Sequence, residues 1–139
     1  MQLFNIGVNP LLQLLESKLQ GITMYSMPQA GPIEKDQVSI PDLKQNKKLV
    51  AYVDDIMPFL TKEEEFYIVD KCLKLFEQAS GCRFHRDPQS QKCTVMPIGN
   101  RWKKKINDNC PLPFLQVTDR IEVLGINICQ TWTTLFFFL

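Results

Sequence analysis

The sequence lacks the features that would place it in several large classes of protein. No apolar run reaches the roughly 18 residues that a transmembrane helix needs, and residues 1–9 carry no basic cluster of the kind that opens a signal peptide. Internal repeats and low-complexity tracts are absent too. Because 16 Lys and Arg balance 15 Asp and Glu, the net charge of +1 gives no global attraction for nucleic acid. Any basic surface must therefore be local.

Side chains that hold soft metals are also scarce. His85 is the one histidine, and the five cysteines form no CxxC pair, so a zinc site has few ligands to draw on. An odd cysteine count without such pairs is typical of reduced thiols, which predicts an intracellular protein of the nucleus or the cytoplasm. With 139 residues, 45% of them hydrophobic, the chain is long and apolar enough to fold as one domain. The helices and strands predicted below make that domain α+β.

Hydrophobic spacing predicts two main helices. Apolar residues recur at three- and four-residue steps over residues 3–19, where Pro10 is expected to kink the helix or split off its first turn. The second helix is predicted to begin at a capping box, in which Thr61 caps and Glu64 reaches back. It is predicted to end at Gly81.

Short β-branched and aromatic runs predict strands between and after these helices. The Pro-rich residues 23–47 predict an irregular or hairpin-like connector. Leu49–Val53 predicts a buried strand, and residues 56–60 predict a second strand in which Pro58 requires an edge position. Further strands are expected near residues 82–85, 92–96, 114–117 and 121–128, the last of them broken at Gly125.

Asp54 and Asp55 separate the two central apolar runs, which predicts a β-hairpin with both carboxylates at its turn. Adjacent carboxylates repel each other, and Mg²⁺, which prefers oxygen ligands, is a natural neutraliser. Two-metal phosphoryl transfer uses carboxylates of this kind. The alternative is a solvated turn, where acidic residues are common for conformational reasons alone.

The sequence around this acid pair, Ala51-Tyr52-Val53-Asp54-Asp55, resembles the aromatic-x-Asp-Asp motif of reverse transcriptases. Other segments resemble parts of the same family in the same order. Residues 3–12 and 19–22 resemble the helix after its template-positioning motif, residues 76–81 the segment before its lysine motif, and residues 123–126 the Leu-Gly of its primer-grip hairpin. The Ser-Gly and Leu-Gly features point to retrotransposons without long terminal repeats.

The resemblance implies a partial polymerase palm over residues 1–128, with an antiparallel sheet and the Asp-Asp hairpin packed on two main helices. Residues 129–139 would be an apolar tail, either packed on the body or a truncation artefact. The implied activity is RNA-directed DNA synthesis on an RNA template, with a DNA primer and deoxynucleoside triphosphates. The implied ligands of Mg²⁺ or Mn²⁺ are Asp54 and Asp55. The other implied site residues are Tyr52 near the primer end, Lys92 near the triphosphate, and Leu124 and Gly125 against the primer.

The sequence also departs from that family. The family's first catalytic Asp, on an earlier palm strand, has no counterpart here, so this polypeptide alone is expected to be an inactive fragment that uses Mg²⁺ only if the missing carboxylate is supplied. Two other interpretations stay open. One is a non-enzymatic, decayed or co-opted module that binds nucleic acid. The other is a viral RNA-dependent RNA polymerase palm, although such palms usually carry Gly at the position of Val53.

The remaining segment of interest is Arg101-Trp102-Lys103-Lys104-Lys105, which is predicted as a basic loop that grips nucleic acid. Cations bind phosphates, and an exposed Trp can stack on a base. The alternative is a solvated loop with Trp102 packed into the body. Neither a membrane contact nor a partner protein is predicted.

Overall fold

The secondary structure combines three α-helices with eight short strands, counted over the residues that the structure describes. The structure is a computed structural model, and it describes residues 2–25, 44–52, 55–123 and 126–129. The helices are α1 (Gln2–Lys18), α2 (Glu64–Ser80) and α3 (Asn100–Asp108), with a 3₁₀ turn at Pro88–Ser90. The strands are β1 (Ile22–Tyr25), β2 (Lys44–Lys47), β3 (Leu49–Tyr52), β4 (Asp55–Pro58), β5 (Thr94–Val95), β6 (Gln116–Val117), β7 (Arg120–Val123) and β8 (Ile126–Cys129). The prediction of an α+β chain is confirmed.

The strands pair two by two instead of forming the one antiparallel sheet that was expected. Within the described residues β1–β2, β3–β4 and β7–β8 are antiparallel, whereas β5–β6 is parallel. The β1–β2 ladder bears out the hairpin-like connector, although residues 26–43 lie outside the described part. Each sheet has two strands among the residues that the structure describes, so Pro58 takes the edge position that its missing N–H requires.

Helix α1 packs through a stripe of leucines. Leu11, Leu15 and Leu19 follow one another at four-residue steps and are buried in the main hydrophobic core. The helix is continuous through Pro10, so the expectation that this residue splits off a first turn is wrong. A proline removes only one hydrogen bond of the helix. The turns that follow Pro10 are held in place because Leu11 and Leu15 are buried in the main core. No helix among the described residues is long and apolar enough to cross a bilayer.

The capping box predicted at Thr61 and Glu64 is wrong, because helix α2 begins after Glu63 and Glu65 holds its start. Glu65 is only 4% exposed, and one carboxylate oxygen accepts hydrogen bonds from the backbone N–H groups of Thr61 and Lys62 at 2.6 and 3.1 Å. Its other oxygen accepts the N–H of Gln20, just beyond α1, at 2.8 Å. The accepting carboxylate thus belongs to Glu65 and not to Glu64, because the buried side chain of Glu65 also reaches the N–H of Gln20. The predicted end is confirmed, with Gly81 in the left-handed conformation (φ 73°).

Strand β4 lies between two hydrophobic cores, and this arrangement positions Asp55 at its start. Ile56 packs against the main core, whereas its neighbour Met57 belongs to a second cluster with Met96, Ile98 and Ile121. Strand β3, in contrast, is mostly exposed, and only Leu49 at its start is partly buried against the main core. Val50 is 41% and Tyr52 54% exposed, so the prediction of a buried strand is wrong for its described part. Beyond Leu49, the large apolar residues of β3, Val50 and Tyr52, are therefore open to solvent.

The region after α2 is more irregular than predicted. Residues 82–85 form no strand, whereas β5 and β6 fall inside the predicted ranges 92–96 and 114–117. The strand predicted over 121–128, with a break at Gly125, is a hairpin of β7 and β8, whose connecting residues 124–125 lie outside the described part. The predicted basic loop is also wrong, because residues 101–105 belong to α3.

Candidate functional site

The β3–β4 hairpin brings the motif residues to one end of a ladder. Tyr52 pairs with Asp55 as the last register position, so residues 53 and 54 alone connect the two strands. Asp55 is the first residue of β4 and is exposed. Asp54 lies outside the described residues. The predicted hairpin is therefore confirmed, with Asp55 opening the second strand instead of sitting in the turn.

Tyr52 and Asp55 share one face of the hairpin, because directly paired residues of an antiparallel ladder point the same way. Tyr52 is 54% exposed, so its ring and the Asp55 carboxylate both reach solvent. Two residues further along β4, Met57 is 5% exposed and holds the strand to the second cluster. The tip is thus an exposed polar end on an anchored strand.

The hairpin suits a hard cation by its donor chemistry. No described cationic side chain pairs with Asp55 in an ion pair, so its charge is left to solvent or to an added ion. Carboxylate oxygens are the ligands that Mg²⁺ prefers. Among the described residues no group of three His, Cys, Asp or Glu side chains could hold a metal. Asp54 lies outside the described residues, and the pair Asp54 and Asp55 remains the candidate for holding a metal ion.

Lys92 is not brought to the hairpin by any contact that the structure records. It is exposed, between the 3₁₀ turn and β5. Within the described part of the chain it makes no hydrogen bond or ion pair. Leu124 and Gly125, the other predicted substrate contacts, lie outside the described residues. The structure therefore gathers only Tyr52 and Asp55 of the predicted hairpin site.

The basic segment is helical, and its five residues have different roles. Trp102 is half-buried and packs against the main core. The Lys105 ammonium lies 5.6 Å from the centre of the Trp102 ring and pairs with the carboxylate of Glu63. Arg101, Lys103 and Lys104 are exposed. The prediction that Trp102 packs into the body fits this arrangement better than an indole held out for stacking.

Arg86 carries a charged cluster that the sequence did not reveal. Its Nη1 lies 3.0 Å from Asp70 Oδ1, and its Nη2 lies 3.0 Å from Glu77 Oε2, both on α2. The guanidinium also stacks 5.6 Å from the ring centre of Phe114. The groups are close but poorly aligned for hydrogen bonding, and Nε has no partner among the described residues. We interpret the cluster as charge pairing that fastens the irregular segment after α2.

Three of the described thiols lie in surroundings that disfavour the thiolate form. Cys72, Cys82, Cys93 and Cys110 are all free, as the sequence predicts. Burial raises the pKa of Cys72, Cys93 and Cys110 above the ordinary thiol value, which favours the neutral form.

An open cavity of about 410 Å³ at the C-terminal end of α2, lined by Glu77, Cys82 and Arg83 among others, contains none of the predicted site residues.

Comparison with known proteins gives no relative: no protein-family model, no curated protein and no solved structure matches this chain.

Proposed function

We propose that this chain is part of the palm of a retrotransposon reverse transcriptase, and that the β3–β4 hairpin carries its metal-binding carboxylates. One observation supports the proposal above the others. A two-residue connection leaves Asp55 exposed at the start of β4, opposite an exposed Tyr52, on a strand held between two cores. A metal-binding acid needs this combination of an open carboxylate and an anchored backbone.

Each hairpin residue has a defined part in the proposed reaction. Asp54 and Asp55 would hold Mg²⁺, which would neutralise charge on the transferring phosphoryl group. Tyr52 offers an exposed ring on the same face as Asp55, where the end of a primer strand can pack against it. Lys92, exposed before β5, is the proposed cation for the pyrophosphate leaving group.

The hairpin supplies one carboxylate strand of a site that normally draws on two. With Asp54 and Asp55 alone, the affinity for Mg²⁺ should be weak, because affinity rises with the number of charged ligands. We therefore expect the 139-residue polypeptide to bind a divalent cation but not to extend a primer. Templated DNA synthesis by the purified chain with Mg²⁺ would contradict the need for a second carboxylate strand.

Titration with Mn²⁺, followed by electron paramagnetic resonance, tests the hairpin directly. We expect one saturable site that disappears in the double variant Asp54→Asn/Asp55→Asn. The matched control is Glu64→Gln/Asp108→Asn, which removes the same charge from two exposed carboxylates elsewhere and should keep the site. If both double variants bind Mn²⁺ alike, or if the wild-type chain has no saturable site, the proposed function is wrong.

A second candidate function is a non-enzymatic module that binds nucleic acid. The observation in its favour is the concentration of exposed cations on α3, which lies outside the hairpin. This function requires neither Mg²⁺ nor Asp54 and Asp55. A chain that binds nucleic acid but has no Mn²⁺ site would favour it over the polymerase fragment.

A further inference from the structure

Helix α3 concentrates positive charge on a chain that is almost neutral. Its nine residues include Arg101, Lys103, Lys104 and Lys105 and a single acid, Asp108, which gives the helix a net charge of three. The whole chain has a net charge of only +1, so the remaining residues together are negative. The charge of this helix is therefore opposite in sign to the summed charge of the other residues.

Three of the four cations are available to a ligand. Lys105 is occupied, because its ammonium pairs with Glu63 and lies over the ring of Trp102. Arg101, Lys103 and Lys104 are exposed, and none of them forms an ion pair with any residue that the structure describes. The chain thus keeps these three charges unneutralised within one turn of helix.

The apolar side of α3 is already used by the protein itself. Ile106 is 1% exposed in the main core, and Trp102 packs against the same core. A helix that binds a bilayer surface inserts its apolar face into the lipid, and α3 has none to spare. The half-buried Trp102 is likewise not free to stack on a base. What remains for recognition is charge, and a closely spaced row of phosphates is the ligand that charge alone can hold.

We propose that Arg101, Lys103 and Lys104 form a binding site for the phosphate backbone of nucleic acid that does not depend on base sequence. Trp102 and Ile106 anchor the helix instead of contacting the ligand. The site is separate from the hairpin. Its binding needs no Mg²⁺ and persists when Asp54 and Asp55 are replaced, so its failure and that of the proposed polymerase function are distinguishable.

Fluorescence anisotropy with a labelled single-stranded DNA oligonucleotide, measured without Mg²⁺ over a range of salt concentrations, tests the proposal. The triple variant Arg101→Gln/Lys103→Gln/Lys104→Gln replaces all three cations. It should make the negative slope of log K against log salt shallower by about 2, since each contact to a single strand contributes roughly 0.7. The control Lys105→Gln removes one charge from the same helix, but from the ammonium paired with Glu63, and should change the slope much less. Thermal melts should show that all these variants fold.

Three outcomes would overturn the proposal. The first is a slope that the triple variant leaves unchanged. The second is binding more than tenfold weaker to an abasic strand than to the normal oligonucleotide, because that result would require contacts to the bases. The third is binding to vesicles of anionic phospholipid, lost in the triple variant, without binding to the oligonucleotide. Equal binding of the abasic strand would support recognition of the backbone alone.

Discussion

Two acidic regions of the molecule have opposite surroundings. One is the junction where Glu65 at the start of α2 meets Gln20 just after α1, and the other is the tip of the β3–β4 hairpin at Asp55. At the junction, the buried carboxylate of Glu65 accepts four hydrogen bonds, from the N–H groups of Gln20, Thr61 and Lys62 and from the Thr61 hydroxyl. At the tip, Asp55 is exposed and makes no ion pair with a described residue. The two groups are chemically alike, but protein donors surround the Glu65 carboxylate whereas the Asp55 carboxylate faces solvent.

This contrast indicates that stability and candidate chemistry reside in different places. A buried charge is tolerated only where hydrogen bonds replace its water, so Glu65 is committed to the fold. An exposed, unpaired carboxylate contributes little to stability and stays available to a ligand. Substitutions should therefore change the unfolding free energy at the junction and leave it unchanged at the tip. The four variants below test that separation, from the largest effect to the smallest.

The largest effect is expected in the core beside the junction. Leu15 is fully buried, with 0% exposure, so Leu15→Ala should lower the unfolding free energy by about 3 kcal/mol through lost burial and a cavity. Denaturant titration monitored by circular dichroism measures it. The control Leu75→Ala removes the same atoms from a side chain that is 49% exposed and should cost well under half as much. Equal losses would mean that the leucine stripe of α1 is not part of the core.

The junction carboxylate itself should give the next largest effect. Glu65→Ala leaves the N–H groups of Gln20, Thr61 and Lys62 without their acceptor, and about 2 kcal/mol of stability should be lost. The neighbouring exposed Glu64→Ala is the matched control and should change stability by less than about 0.5 kcal/mol. If Glu64→Ala is the more damaging variant, the capping box predicted from the sequence is right and the structure is wrong at this point.

A smaller change of opposite sign is expected at Pro10. The residue is exposed inside α1, and Pro10→Ala restores a backbone N–H that can donate to the turn before it. Stability should rise, but by less than the roughly 3 kcal/mol that separates Pro from Ala inside a helix, because Ala also gives the unfolded chain more conformational freedom. The increase is measured as a higher midpoint of the same denaturant titration. Destabilisation by this variant would show that α1 requires the local shape that proline imposes.

The tip should give the smallest effect of all. Because the Asp55 carboxylate is exposed and unpaired among the described residues, Asp55→Asn should change stability by less than about 0.5 kcal/mol. The same variant, combined with Asp54→Asn, is expected to abolish Mn²⁺ binding. A marked loss of stability would make Asp55 a structural residue and would remove the contrast between junction and tip.

Features encoded locally could be predicted from the sequence. The spacing of apolar residues identified α1 and α2, Gly81 marked the end of α2, and two apolar runs around an acid pair identified the hairpin. These signals depend on residues that are near one another in the chain. The exposure of Tyr52 could not be predicted, because an apolar run has the same sequence pattern whether other elements cover its strand or leave it open to solvent.

Features that depend on distant segments could not be predicted. Glu65 replaces Glu64 because Gln20, 45 residues away, also donates to it. The position of Arg86 between two α2 carboxylates is likewise a tertiary arrangement. One further local signal in the sequence indicates α3. Trp102 and Ile106 are four residues apart, the spacing of one helical face, and this spacing predicts α3 where the dense positive charge suggested a loop.

The parallel β5–β6 pair has a consequence for the basic helix between its strands. The Gln116 N–H donates to the Cys93 carbonyl and the Thr118 N–H to the Val95 carbonyl, both at 2.9 Å, so the segment that contains α3 is closed into a loop at its base. With Ile106 buried in the core as well, the helix has little orientational freedom left to lose when a ligand arrives. Three charges on such a preorganised support should bind with a smaller entropic penalty than the same charges on an unstructured tail.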